Sequence, residues 1–290
     1  HKEVLRSEYD QWARITEIFN VYSTGILTFR DKMVVGFDNN DLKARLDEIA
    51  DPAISDDVIR EKYCLGRRSD KYEPGDTRGW TLSGGRKMLS MEDNPASHVQ
   101  PCLYRPFDIR SMYYADYMID WPRTDVMRHM LNGQNLGLVS ARSNKSSQMD
   151  HFFCSRYITE LKCGESTTGS YLFPLYVYVG EGEMQFDSGE RCPNLKVEFI
   201  KTIVEKLGLI FVEDGKGDLE RTFGAEDIFD YSYAIFHSPT YRTRYEEFLN
   251  TDFPRLPLTS GKALFKALVS KGAQLVALHL MDAPVLDVES

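Results

Sequence analysis

Arginine is the side chain of this sequence with the most chemistry to offer. Its guanidinium is a rigid fork of donors that matches phosphate oxygens and the edge of guanine, whereas lysine is a mobile point charge. Between residues 101 and 160 seven residues are basic, six of them arginine, against six acidic ones. Arg105, Arg110, Arg123 and Arg128 fall in that stretch, and Arg30 and Lys32 precede it. All six are candidates for contacts with a phosphate backbone. A denser group, Arg142, Ser143, Asn144 and Lys145, separates two strand-like runs. A hairpin tip of that composition, over 142 to 148, suits groove insertion, because arginine reads guanine and asparagine reads adenine. The alternative is an ordinary solvated hairpin. Arg242 and Arg244 lie in "HSPTYRTRYEEFLNTDFPRLP" (237–257), where Tyr241, Tyr245 and Phe248 recur at helical spacing. Such a stripe reads as core, so the segment is framework first, with its arginines facing either acidic helix neighbours or a phosphate.

Other chemistries find little support. The five cysteines (Cys64, Cys102, Cys154, Cys163 and Cys192) are odd in number and include no C-x-x-C pair, which encodes neither a zinc site nor a disulfide framework. The six histidines show no metal-ligand spacing. "SGGRK" (83–87) lacks the spacing of a phosphate-binding loop and has no strand before it. Asp56-Asp57 and Glu246-Glu247 fall on helix starts or surfaces, where solvated charge is the ordinary reading. The chain is therefore expected to catalyse nothing by itself and to hold no cofactor.

The elements that must position these groups follow from periodicity and caps. Alternation after Thr24-Gly25 predicts a strand through Met33, Val34 and Val35. Residues 40–50 and 55–64 read as helices capped by Asn40 and Ser55, with Leu42, Leu46 and Ile49 on one face. Residues 66–87 read as loop, followed by a short helix. Two strands flank the turn Arg105-Pro106-Phe107-Asp108. Pro122 is expected to open a helix that buries Val126, Met127, Met130 and Leu131, turns Arg128 outward and stops at Asn132-Gly133. Residues 135–141, 151–158 and 171–179 read as strands. Helices follow over 194–207 and 225–236, then one capped by Ser238 with Pro239 at its first position, and a C-terminal helical stretch. Strands cluster in the middle and helices at the ends, which predicts an α+β fold: a central, mostly antiparallel or mixed sheet with flanking helices and a helical C-terminal part.

A net charge of -9 argues against nucleic acid until its distribution is considered. Residues 181–230 hold thirteen acidic and six basic residues, so most of the excess lies in one segment, a protein-facing or DNA-averse surface. No apolar run suffices for a membrane span, and no signal pattern opens the chain; it reads as cytoplasmic, and its start without Met as part of a longer polypeptide.

Five blocks occur in order: "STGILTFRD" (23–31), "PCLYRPFDIRSMYY" (101–114), "RTDVMRHML" with "NLGLVSAR" (123–142), "YLFPLYVY" (171–178) and "IFDYSYAIFHSPTYRTRYEEFLNTDFPRLPL" (228–258). Together they resemble the specificity region of the Type ISP single-chain restriction-modification enzymes. Leu27 and Phe29 depart from the more polar stretch that the resemblance leads one to expect. The resemblance implies a target-recognition domain for double-stranded DNA. It also implies a parent chain carrying a methyltransferase that acts on adenine N6 and an ATP-driven translocase, with S-adenosylmethionine, ATP and magnesium used there. Residues 1–100 would then be a lobe linking to the methyltransferase, and 101–290 the recognition lobe. The rival expectation is a structural module that packs on the methyltransferase or translocase without reading bases.

Overall fold

The structure, a computed structural model, describes residues 2–67, 69–131, 134–145, 151–178 and 191–287. The C-terminal helices show how closely the elements pack. Ala225–Phe236 carries apolar or aromatic groups all round and is buried on nearly every side. Lys262–His279 crosses it at Gly272, where a Cβ would lie 1.7 Å from the Asp230 carbonyl oxygen. Only glycine permits that approach. The next helix, Pro239–Leu249, starts as expected: Ser238 accepts a hydrogen bond from the Tyr241 amide at 3.4 Å, and Pro239 occupies the first turn. Its aromatic stripe is core. Tyr9 and Trp12, at the end of helix Lys2–Asp10 and just beyond it, pack on Tyr245 with ring centroids 5.3 and 5.0 Å away.

Two four-stranded sheets take the place of one central sheet, within the expected α+β class. The first orders its strands Ser23–Thr24, Ser170–Pro174, Gly137–Ala141 and Phe153–Ser155, all antiparallel. The second orders Val35–Gly36, Asp108–Tyr113, Val99–Arg105 and Ile158–Thr159, the last pair parallel. The first sheet is a partition. Leu138, Phe173 and Phe152 point into one hydrophobic cluster, with the C-terminal helices, whereas their neighbours Val139, Leu172 and Phe153 point into another, with the helices of residues 39–90. Alternate side chains on a strand face opposite ways, so an uninterrupted buried run such as Gly137–Ala141 must be covered on both faces. Both clusters draw on residues either side of position 100.

Several local expectations need correction. Met33 and Val34 belong to a helical turn, Asp31–Val34, ahead of a two-residue strand. Arg45 rewrites the alternation there by donating to the carbonyls of Lys32 and Val35 at 3.0 and 2.8 Å. The SGGRK segment lies inside helix Leu82–Ser90, capped by Thr81 and closed onto the Trp80 indole at Gly85. Helix Asn39–Ala50 is capped by Asp38, not Asn40, whereas Ser55 caps its helix as expected. The helix after Pro122 starts at Thr124, because Arg123 sits at φ 57°, outside helical space. Its inner side holds Val126, Met127 and Met130, while Leu131 stays exposed. The Asn132-Gly133 stop lies outside the described residues.

Candidate nucleic-acid interface

The Val99–Tyr113 hairpin gathers two arginines on one aromatic ring, each paired with a carboxylate. The Tyr104 ring lies beneath two guanidiniums, Arg105 at 4.0 Å and Arg110 at 4.4 Å from its centroid. Arg110 also lies 4.5 Å from the exposed Phe37 ring. A guanidinium over an aromatic face is attracted by the ring quadrupole and keeps outward donors free to bond. Carboxylates fix the arrangement: Arg105 pairs with Glu160 at 2.6 Å and Arg110 with Asp108 at 2.8 Å. The Tyr104 hydroxyl donates to Asp31 at 2.8 Å, and its pKa is pushed up to about 12 by burial and by that bond. Burial raises the Glu160 pKa against the pull of the Lys162 amide and of Arg105. Lys32 stands exposed beside Asp31. The hairpin turn puts Phe107 at φ 60°, exposed but with its ring edge against Phe153 and His279.

Arg30 is not a surface contact, which corrects the sequence expectation. Its side chain is wholly buried, paired with Asp120, donating to the carbonyls of Thr28 and Met118 at 3.0 and 3.2 Å and stacked 3.5 Å from the Trp80 ring centre. These bonds pin the 27–31 loop. Leu27 and Trp121 exchange both backbone hydrogen bonds, at 3.2 and 3.1 Å. Phe29 and Trp121 emerge side by side, 43% and 50% exposed, with ring centroids 6.1 Å apart. Arg123 lies 4.8 Å over the Trp121 ring. A chain of contacts, Phe29 to Trp121 and Thr28 through Asp31 to Tyr104, joins this loop to the hairpin.

The remaining candidates are dispersed. Arg142 is 67% exposed and 3.5 Å from Asp252. Lys145 is exposed and Ser143 half-buried, but Asn144 is buried, and its backbone N–H donates to the Asn250 backbone carbonyl at 3.2 Å. Adenine reading by Asn144 is thus at odds with its position; residues 146–148 of the expected tip lie outside the described residues. Arg128 faces outward from helix Thr124–Leu131, as helical geometry requires. Arg242 closes the preceding helix end, donating to the Phe236 carbonyl at 2.6 Å and bonding His237 at 3.0 Å. Arg244 ties its helix to the N-terminal one through Glu8 at 2.9 Å. Both are framework groups in this arrangement.

The structure therefore brings together Lys32, Arg105 and Arg110, with Arg123 at the far end of the contact chain. It adds four residues that sequence reasoning missed: Phe29, Phe37, Tyr104 and Trp121. A signal for three was present, since Phe29, Tyr104 and Trp121 each stand one or two residues before an arginine. Among the described residues no group of three or more His, Cys, Asp or Glu side chains can hold a metal.

Fold and face together define a class: an α+β module whose loops carry stacked arginines and aromatics. The chain belongs to the family described as the Type ISP C-terminal specificity domain, whose model matches residues 17–289. A search of the curated proteins returned no match. Solved structures share the fold. One is a cryo-EM structure of a DrdV–DNA complex, with 22% identity and a TM-score of 0.62 over 91% of this chain and 23% of that one. The ATP-dependent Type ISP restriction-modification enzyme LlaBIII bound to DNA has 20% identity and a TM-score of 0.66 over 95% of this chain and 17% of that one. A nuclease-deletion mutant of the Type ISP enzyme LlaGI with a DNA substrate mimic has 20% identity and a TM-score of 0.58 over 94% and 20%. The chain spans about a fifth of the length of these relatives.

Proposed function

We propose that this chain is the part of a Type ISP restriction-modification enzyme that reads duplex DNA. The observation that carries this is the placement of Arg105 and Arg110 on the one Tyr104 ring, with Lys32 beside its hydroxyl partner Asp31. Each guanidinium is held in position by a single carboxylate, and a phosphate or guanine edge offers a comparable anionic or acceptor partner. DNA binding by the similar structures supports the reading.

The parent enzyme is proposed to methylate adenine at N6 and to restrict DNA with ATP, in the cytoplasm. S-adenosylmethionine, ATP and magnesium would be held by its methyltransferase and translocase domains, leaving this domain to position the duplex.

Binding titrations on the full-length protein test the reading. Arg105→Ala and Arg110→Ala should weaken DNA binding. A residue on phosphate will weaken all sequences evenly and lower the salt slope by about one; a residue on a base edge will cost ~1–3 kcal/mol for the cognate site alone. Unchanged affinity and unchanged sequence preference in both variants would overturn the proposal.

A further inference from the structure

Two neighbouring loops each hold a residue in left-handed backbone space, Phe29 at φ 59° and Arg123 at φ 57°. Phenylalanine and arginine are strained there, and such strain persists only where the surroundings enforce it. The enforcement is visible: buried Arg30 binds Thr28, Met118 and Asp120, so it braces both loops from below. The strained backbone presents Phe29 and Trp121 to solvent rather than to a core. Beside them is a cleft lined by Tyr22, Asp120, Trp121, Arg123 and Asp125. Arg123 is half-buried; its Nε is enclosed without a hydrogen-bond partner, which leaves the terminal guanidinium nitrogens as the donors for a phosphate. The two rings meet edge to face, at 75°, so a base can stack on the face of one while the other borders its edge. Such an exposed aromatic corner, with an adjacent guanidinium and a rigid support, has the components of a base-stacking surface.

We propose that Phe29 and Trp121 form an edge-to-face platform for a nucleobase that has left the duplex stack, one ring on its face and the other at its edge, with Arg123 meeting the flanking phosphate. This rests on the DNA-reading function above. The ligand is an unpaired base, since a ring pair reaches a base face only where stacking is interrupted, whereas Arg105 and Arg110 address intact backbone or base edges. Asp120 and Asp125 in the same cleft oppose phosphate entry on their side, which directs the phosphate towards Arg123.

The test uses the full-length protein and a duplex enriched by it from a randomised pool, intact and with a single abasic position placed at each step in turn. Phe29→Gly removes the ring and relieves the left-handed backbone, so its fold is safeguarded; Trp121→Ala and Trp121→Phe form the second pair. Loss of one stacked base predicts about 5- to 150-fold weaker binding of the intact duplex by Phe29→Gly and Trp121→Ala, with partial recovery in Trp121→Phe. That loss should vanish on the duplex lacking the base at one particular position, because the platform then has nothing to hold. Wild-type affinity in the ring variants, or a loss that persists equally at every abasic position, overturns the platform; DNA reading stands in that case if Arg105→Ala and Arg110→Ala still bind weakly. If no sequence is enriched and the arginine variants bind as wild type, DNA reading itself fails and the platform with it.

Discussion

The guanidinium of Arg30 is enclosed, lying 3.5 Å from the centre of the Trp80 ring and closing on the carboxylate of Asp120. An ion pair removed from water tolerates the loss of neither partner, because the survivor is left charged in a poorly solvated site. Arg30→Ala is therefore expected to destabilise the domain by about 3–5 kcal/mol, read from the urea midpoint. Arg30→Lys should rescue little, since one ammonium cannot reproduce a planar fork that serves two carbonyls, a carboxylate and a ring. An unfolding curve of either variant that overlays wild type would show the pair to be dispensable.

Gly272 offers a second test. A methyl group there would overlap the Asp230 carbonyl, a backbone group that can yield only if its helix shifts. Gly272→Ala should force the two C-terminal helices apart and cost ~1–3 kcal/mol, seen as a melting temperature lower by several degrees. Ala substitution at Gly66, which has open space around it, is the matched control and should be near neutral.

Acid should destabilise the fold through His129. Burial, followed by the nearby Arg128 charge, lowers its pKa from 6.5 to about 4, and its Nδ1 accepts the Tyr178 amide at 3.0 Å. In the unfolded chain the ring gains a proton as pH falls through 6.5, while in the folded chain it stays neutral to about 4. The unfolded state thus binds more protons in that window, and stability falls with decreasing pH by up to ~1.4 kcal/mol per unit. His129→Gln should reduce the slope of stability against pH between pH 6.5 and 4, leaving the part contributed by His237 and His279, whose pKa values burial also lowers; an unchanged slope would remove His129 as a contributor.

Thiol labelling should divide the cysteines by burial. All five are free; Cys64 is exposed, Cys192 intermediate, and Cys102, Cys154 and Cys163 are buried. Burial pushes the Cys154 and Cys163 thiols up to about 12, which removes the reactive thiolate. A thiol reagent at neutral pH should modify Cys64 quickly, Cys192 more slowly and the other three only after unfolding. Rapid modification of Cys163 in the native protein would contradict the packing around the second cluster.

Elements set by local chemistry were legible in the sequence. Ser238-Pro239 announces its helix, and Arg105-Pro106-Phe107-Asp108 announces a hairpin, because caps and turns act through residues a few positions apart. The α+β class followed from the same signals. The role of each arginine was not legible, since it depends on partners far away in sequence. Arg30 is buried because Met118 and Asp120, some ninety residues on, supply its acceptors. Asn144 is drawn inward by Asn250. Arg105 and Arg110, by contrast, flank Tyr104 within one hairpin, so their convergence was within reach of a local reading. The division of the strands into two sheets was hidden for the same reason as Arg30: strand partners such as Thr24 and Tyr171 lie far apart in the chain.

The strands that separate the two hydrophobic clusters bear on how a new specificity can arise in this family. Because one β-layer lines both compartments, a recombination event that imported only one compartment would bring in side chains shaped for a foreign neighbour across the wall. Exchange is expected to succeed when it transfers the whole domain, or when it is confined to the outlying loops and hairpin tips, where residues can change without disturbing what lies on the other side.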